Sequence, residues 1–185
     1  GGSGADVLDY SLVTTGAISV TLDGEEFSKV SIYSDNVRTS EIVGTYDTVK
    51  NIRNIIGTSG NDYIKGDANA NELYGGVGDD TLDGGSGDDK LFGGSGNDIT
   101  KGVAGNNELY GGDGNDTIYS GTGDDLIYGG TGENSVHYGE AISGVTVDLS
   151  NSLAQTVGGG MGVDTLVDIQ NVVGSAYDDL FYTDY

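Results

Sequence analysis

Nine Asp or Asn side chains recur at intervals of nine residues: Asp62, Asn71, Asp80, Asp89, Asp98, Asn107, Asp116, Asp125 and Asn134. Oxygen-bearing side chains phased in this way can gather around a cation, which scattered ones cannot. Stacked carboxylates repel one another unless positive charge lies between them. A hard divalent ion that takes six to eight oxygens meets that need, drawing on carboxylates from two turns and on backbone carbonyls. The chain has no cysteine and one histidine, so oxygen-only ligation favours calcium over zinc or copper. Magnesium would require a tighter octahedron than glycine loops provide.

What positions these residues is a nine-residue unit that runs without a gap from Gly57 to His137. The units are GTSGNDYIK, GDANANELY, GGVGDDTLD, GGSGDDKLF, GGSGNDITK, GVAGNNELY, GGDGNDTIY, SGTGDDLIY and GGTGENSVH. Each joins a glycine-rich hexamer ending in Asp or Asn to a strand-like tail of three residues. So short a unit cannot bury its apolar residue alone and must stack on copies of itself.

The outward tail positions alternate at eighteen residues: Glu72, Lys90 and Glu108 at the seventh position, Lys65, Asp83 and Lys101 at the ninth. Opposite charges suit adjacent parallel strands, so one coil is two units with two facing sheets. At a rise of about 4.8 Å per coil, nine units make a block about 22 Å tall. The eighth position points inward: Ile64, Leu73, Leu82, Leu91, Thr100, Leu109, Ile118, Ile127 and Val136. One such side chain in every nine residues cannot offset the ordering of so glycine-rich a backbone. The sixth-position residues, on two edges of the coil, must supply the difference through the cation.

Here the units GGVGDDTLD, GGSGDDKLF and GGDGNDTIY resemble the RTX nonapeptide GGxGxDxUx of secreted bacterial proteins. The resemblance implies an all-β parallel β-roll, calcium bound between loops two units apart, export by a type I system and folding outside the cell. Carried over residue by residue, it implies the pairs Asp62/Asp80, Asp80/Asp98, Asp98/Asp116 and a weaker Asp116/Asn134 on one edge. The other edge offers Asn71/Asp89, Asp89/Asn107 and Asn107/Asp125, each short of one carboxylate and therefore expected to bind less tightly. The central block would then hold about seven Ca2+ ions.

Thirty acids against seven Lys and Arg give a formal charge of −23, and the last 84 residues contain thirteen acids and no base. With 35 glycines, such self-repulsion should leave the metal-free chain largely disordered. Nucleic acid and anionic membranes are poor partners for this surface. The lack of cysteine and of an 18-residue apolar run predicts neither disulfides nor a spanning helix. With neither an initiator Met nor a signal peptide, a sequence that opens in mid-repeat is expected to be a portion of something larger.

A second duplication is displaced by 117 residues: YDTVKNIRNIIGTSGNDYI at Tyr46–Ile64 aligns with VDTLVDIQNVVGSAYDDLF at Val163–Phe181. AISVTLD and VTVDL precede the two copies as alternating strands. GGSGADVLD at Gly1 and GGMGVDTLV at Gly159 are further full units, adding Asp6 and Asp164 to the ligand candidates. Asp47 to Asp62 and Asp164 to Asp179 are each fifteen residues apart instead of eighteen. The expectation is a coil that has lost one loop, extending the carboxylate-rich edge to Asp47 and creating a separate pair, Asp164/Asp179. The chain thus reads as one elongated module. An isolated repeat at 1–9 precedes a strand insertion and degenerate coil at 10–56. The block at 57–137 follows, then an insertion at 138–158 and a C-terminal coil at 159–185. The segment 25–40 fits no repeat and reads as an inserted loop or hairpin.

Tyr74, Phe92, Tyr110 and Tyr128 lie eighteen apart on one outward face, where an aromatic ladder would stabilise the sheet or dock carbohydrate or another subunit. Catalysis has little to draw on. His137 takes an outward ninth position, no Ser-His-Asp set is present, and no helix follows the GxGxxG-like strings. The reading is a non-enzymatic, calcium-folded scaffold or spacer of a secreted or cell-surface protein such as an adhesin. Alternatives are a subunit of an extracellular fibre or surface layer that stacks end to end, and the C-terminal carrier of a protease, lipase or polysaccharide epimerase.

Overall fold

A computed structural model describes residues 6–13, 16–24, 28–33 and 41–183 of the chain. The first five residues of the isolated repeat and most of 25–40, Arg38 included, lie outside the described residues. All regular structure among the described residues is β, and no helix there is long and apolar enough to cross a membrane.

Each tail forms a strand because its three residues alternate outward, inward, outward between glycine-rich turns. The first sheet contains, in spatial order, β1 (Asp6–Asp9), β5 (Ile52–Ile56), β7 (Glu72–Val77), β9 (Lys90–Ser95), β11 (Glu108–Asp113), β13 (Leu126–Thr131), β17 (Val163–Val167) and β16 (Gln155–Thr156). The second runs β18 (Asn171–Val173), β14 (Ser135–His137), β12 (Thr117–Tyr119), β10 (Ile99–Lys101), β8 (Thr81–Asp83), β6 (Tyr63–Lys65), β2 (Ile18–Thr21), β3 (Ser28–Tyr33) and β4 (Glu41–Val49). A separate pair joins β15 (Thr146–Asp148) to β19 (Leu180–Tyr182).

Successive units alternate between the two long sheets, and parallel neighbours are eighteen residues apart, so one coil is two units. Glu72 pairs with Lys90 and Lys90 with Glu108; Lys65 pairs with Asp83 and Asp83 with Lys101. Lys65 Nζ lies 2.6 Å from Asp83 Oδ2 and Lys90 Nζ 2.7 Å from Glu108 Oε1. Half-exposed pairs such as these fix register more than they add stability. The rings of Tyr74, Phe92, Tyr110 and Tyr128 stack at 4.7, 4.8 and 5.0 Å with planes 5–8° apart. Between the sheets lies a column of buried side chains from Ile55 and Ile64 to Val136 and Leu166, with Thr100 among them.

The flanks depart from the expected geometry. β4 ends the second sheet, antiparallel to β3, and Asp47 sits opposite Val30. β3 and β2 therefore stand between β4 and β6, and Asp47 does not stack on Asp62. At the other end β17 joins β13, while β19 pairs with β15, so Asp164 and Asp179 lie on different strand pairs. In both places the fifteen-residue spacing spans a coil with one tight turn, at Asn51 and Asp168, and it is the upstream strands β2 and β3, or β15 and β16, that separate the two acids. Asp6 opens β1, opposite Ile52.

Candidate metal centre

The sixth-position residues do form two ladders, one along each edge of the coil. On the first, the N–H groups of Asp62, Asp80, Asp98 and Asp116 donate to Oδ1 of Asp80, Asp98, Asp116 and Asn134 at 2.7, 2.8, 2.8 and 2.9 Å. On the second, Asn71, Asp89, Asn107 and Asp125 donate to Oδ1 of Asp89, Asn107, Asp125 and Asp164 at 2.8, 3.0, 2.8 and 3.0 Å. All of these residues are buried. Asp164 thus continues the second ladder instead of pairing with Asp179.

One oxygen of each carboxylate is committed to the backbone by this arrangement. The other faces inward, and Oδ2 of Asp89, Asp98, Asp116 and Asp125 is buried with no hydrogen-bond partner. A buried carboxylate oxygen left in this state is costly. Burial accordingly pushes the carboxyls of Asp89, Asp98 and Asp125 up to about 7 and raises that of Asp116.

First-position glycines Gly84, Gly93 and Gly111 face the oxygens of Asp89, Asp98 and Asp116, whereas the unit of Asp125 begins with Ser120. A Cβ on Gly93 would stand 2.5 Å from both Asp98 Oδ2 and Gly111 O. Gly75 is placed in the same way against Asp80 Oδ2 and Gly93 O, and Gly111 against Asp116 Oδ2 and Gly129 O. A carboxylate oxygen and a carbonyl of the next coil therefore approach each of these glycines too closely for any side chain to stand there. No three acidic or imidazole side chains converge among the described residues, so the donor set is carboxylate plus carbonyl. Buried carboxylate oxygens without partners, close to backbone carbonyls, suit a hard cation of calcium's type.

At the Asn positions an amide nitrogen is bonded to a backbone carbonyl instead. Asn107 Nδ2 donates to Gly105 O at 3.0 Å, Asn71 Nδ2 to Arg53 O at 3.0 Å, and Asn134 Nδ2 to Gly130 O at 3.3 Å and Asp168 O at 3.2 Å. Three of the acids named from sequence are likewise satisfied within the protein. Asp62 accepts the Ile18 N–H and the Thr58 hydroxyl on Oδ1, with the Thr58 N–H on Oδ2. Asp179 accepts the Val145 N–H and the Ser175 hydroxyl on Oδ1, with the Ser175 N–H on Oδ2. The Val145 hydrogen bond leads in lowering the Asp179 carboxyl below its usual range. Asp164 Oδ2 receives the hydroxyl of buried Tyr138 at 2.8 Å, while burial raises its own carboxyl to about 6.

A further pair of ladders, at the fifth position, escaped the sequence reading. Asp79, Asn97, Asn115 and Glu133 donate their N–H groups to Oδ1 of Asn61, Asp79, Asn97 and Asn115 at 3.0, 2.8, 3.0 and 2.8 Å. Asn106 and Asp124 do the same toward Asp88 and Asn106 on the other edge. Their signal was present, since seven of the nine units carry Asn or Asp at that position. These bonds run opposite to those of the sixth position and stitch the exposed rim of each turn.

Residues 54–82, 66–100 and 101–136 match the family model of the RTX calcium-binding nonapeptide repeat (4 copies). The span 54–136 consists of RTX calcium-binding nonapeptide repeats. A search of the curated proteins finds no match.

Proposed function

We propose that this chain is a calcium-folded structural module of a secreted or cell-surface protein, acting as a rigid scaffold or spacer and carrying no catalytic centre of its own. The observation that supports it is the row of buried, unpartnered Oδ2 atoms at Asp89, Asp98, Asp116 and Asp125. Calcium supplies the positive charge that these oxygens lack. Asp80, Asp89, Asp98, Asp116 and Asp125 would hold it together with glycine carbonyls, one ion beside each carboxylate. That count is about five in the block rather than about seven, because the Asn amides already bond the carbonyls at the other positions.

Weak all-oxygen sites fill at the millimolar calcium outside a cell and empty at the submicromolar calcium inside, which ties folding to export. His137 supports no catalytic role: it is half-buried, leans on the Tyr119 ring at 4.7 Å and shares a 3.3 Å hydrogen bond with Ser135. Limited proteolysis tests the proposal. The block should be cut rapidly in chelator and resist cleavage at about 1–10 mM calcium, with native mass spectrometry counting the ions. Resistance unchanged by chelator would overturn it.

A further inference from the structure

In sequence Asp164 is the sixth residue of GGMGVDTLV, with Gly159 at the first position. The fold puts a different residue there. First-position N–H groups bond the ninth-position carbonyl of the next coil: Gly66 to Asp83 at 2.7 Å, and Gly84 to Lys101 and Gly102 to Tyr119 at 2.9 Å. In the coil of Asp164 it is Tyr138 that makes this bond, to Val173 O at 2.8 Å, where β14 lies beside β18. Gly159 is elsewhere, and a Cβ on it would stand 2.7 Å from the Ala141 Cβ and 2.8 Å from the Ser143 carbonyl.

The unit resumes at Gly162. A Cβ there would be 2.0 Å from Gly123 O, just as one on Gly123 would be 2.1 Å from Gly105 O. Val163 N–H then meets Asp124 Oδ1, and Thr165 N–H meets Asp125 O, both at 2.9 Å. One repeat unit is thus split between its first and fourth positions by 139–161, and its first-position glycine is replaced by tyrosine.

The replacement changes the chemistry at the carboxylate. At Gly93 and Gly111 no side chain can stand, and Oδ2 of Asp98 and Asp116 has no partner. Tyr138 is fully buried and donates its hydroxyl to Oδ2 of the buried Asp164 at 2.8 Å. Asp164 Oδ1 still accepts the Asp125 N–H at 3.0 Å. The carboxylate therefore keeps its place in the ladder and lacks only the open oxygen. Burial, followed by the Asp164 charge, raises the Tyr138 phenol above its ordinary range, so it keeps its proton and remains a donor.

We propose that Tyr138 is a stopper for the second ion row: its hydroxyl takes the Asp164 oxygen that calcium would take, so the row ends at Asp125 and Asp164 ligates no ion. This rests on the calcium reading of the open carboxylates. A hydroxyl bonded to a carboxylate is a strong hydrogen bond that needs no metal, so the coil that holds Asp164 is tied to the roll in the absence of calcium.

Native mass spectrometry of the full chain in calcium tests the stopper by counting ions. Asp164→Asn should leave the count unchanged, whereas Asp98→Asn, the control, should lower it by one. Tyr138→Gly, which restores the glycine of the other coils, should raise it by one. An ion lost with Asp164→Asn would overturn the stopper, as would an unchanged count in a Tyr138→Gly chain that circular dichroism shows to be folded. If Tyr138→Gly does not fold, the Asp164→Asn count decides. A count unchanged by Asp98→Asn would overturn the calcium reading and the stopper with it, whereas the other failures leave that reading intact.

Discussion

At the scale of the residue, each sixth-position side chain divides its two oxygens between backbone and interior. Oδ1 of Asp125 takes the Asn107 N–H, while its Oδ2 is buried without a partner. Asn107 turns an amide to the Gly105 carbonyl in the corresponding place. Asn107→Asp should therefore raise the calcium stoichiometry by one in isothermal titration, and an unchanged count would contradict the account. The raised carboxyls give a pH signature as well. For Asp89, Asp98 and Asp125 the folded value of about 7 lies above the unfolded one. The metal-free roll then binds more protons than the unfolded chain between about pH 4 and pH 7. Their contribution is fully present below the unfolded value and lost as pH rises through about 7. Calcium-free chain should show more β structure at pH 4.5 than at pH 8, and calcium affinity should fall as pH drops through about 7. Affinity independent of pH between 5 and 8 would contradict this. Thr100 tests the core: its hydroxyl is buried without a partner among the described residues. Thr100→Val should stabilise the calcium-loaded roll by about 1 kcal/mol in urea melts.

At the scale of the element, the loops are held to a shape that glycine alone adopts freely. Gly94 and Gly96 have φ 115° and 139°, and a Cβ on either would strike the carbonyl of the turn eighteen residues before. Val103, at the second position of its unit, is forced to φ 69°, a strained state for a β-branched residue. Val103→Gly should raise the calcium-loaded melting midpoint by relieving about 1 kcal/mol of strain; a lower midpoint would show the side chain to be stabilising. Much of this scale was legible in the sequence. The eighteen-residue alternation of Glu72, Lys90 and Glu108 gave the coil, its register and its inward column because charge and size repeat with the coil. Asp47 and the Asp164/Asp179 pair were misplaced for a physical reason. Strand order within a meander is set by pairing that no local spacing encodes, and β3 with β2, like β16 with β15, intervenes between the acids. The self-satisfied state of Asp62 and Asp179 was equally hidden, since it needs Ile18 and Val145 brought from 44 and 34 residues away.

At the scale of the whole molecule, a chain of charge −23 with 35 glycines is ordered around buried carboxylates. Its ends and its middle are built differently. Asp62, Asp164 and Asp179 close their hydrogen bonds within the protein, whereas Asp89, Asp98, Asp116 and Asp125 leave an oxygen open. The flanks are thus expected to retain some order without metal, and the nine repeats to depend on it. Far-ultraviolet circular dichroism during a calcium titration, with magnesium as the control, tests this most directly. The account predicts that β structure grows cooperatively with calcium and not with equal magnesium. A roll already fully formed in chelator would contradict it, since the open carboxylate oxygens would then be tolerated without a cation.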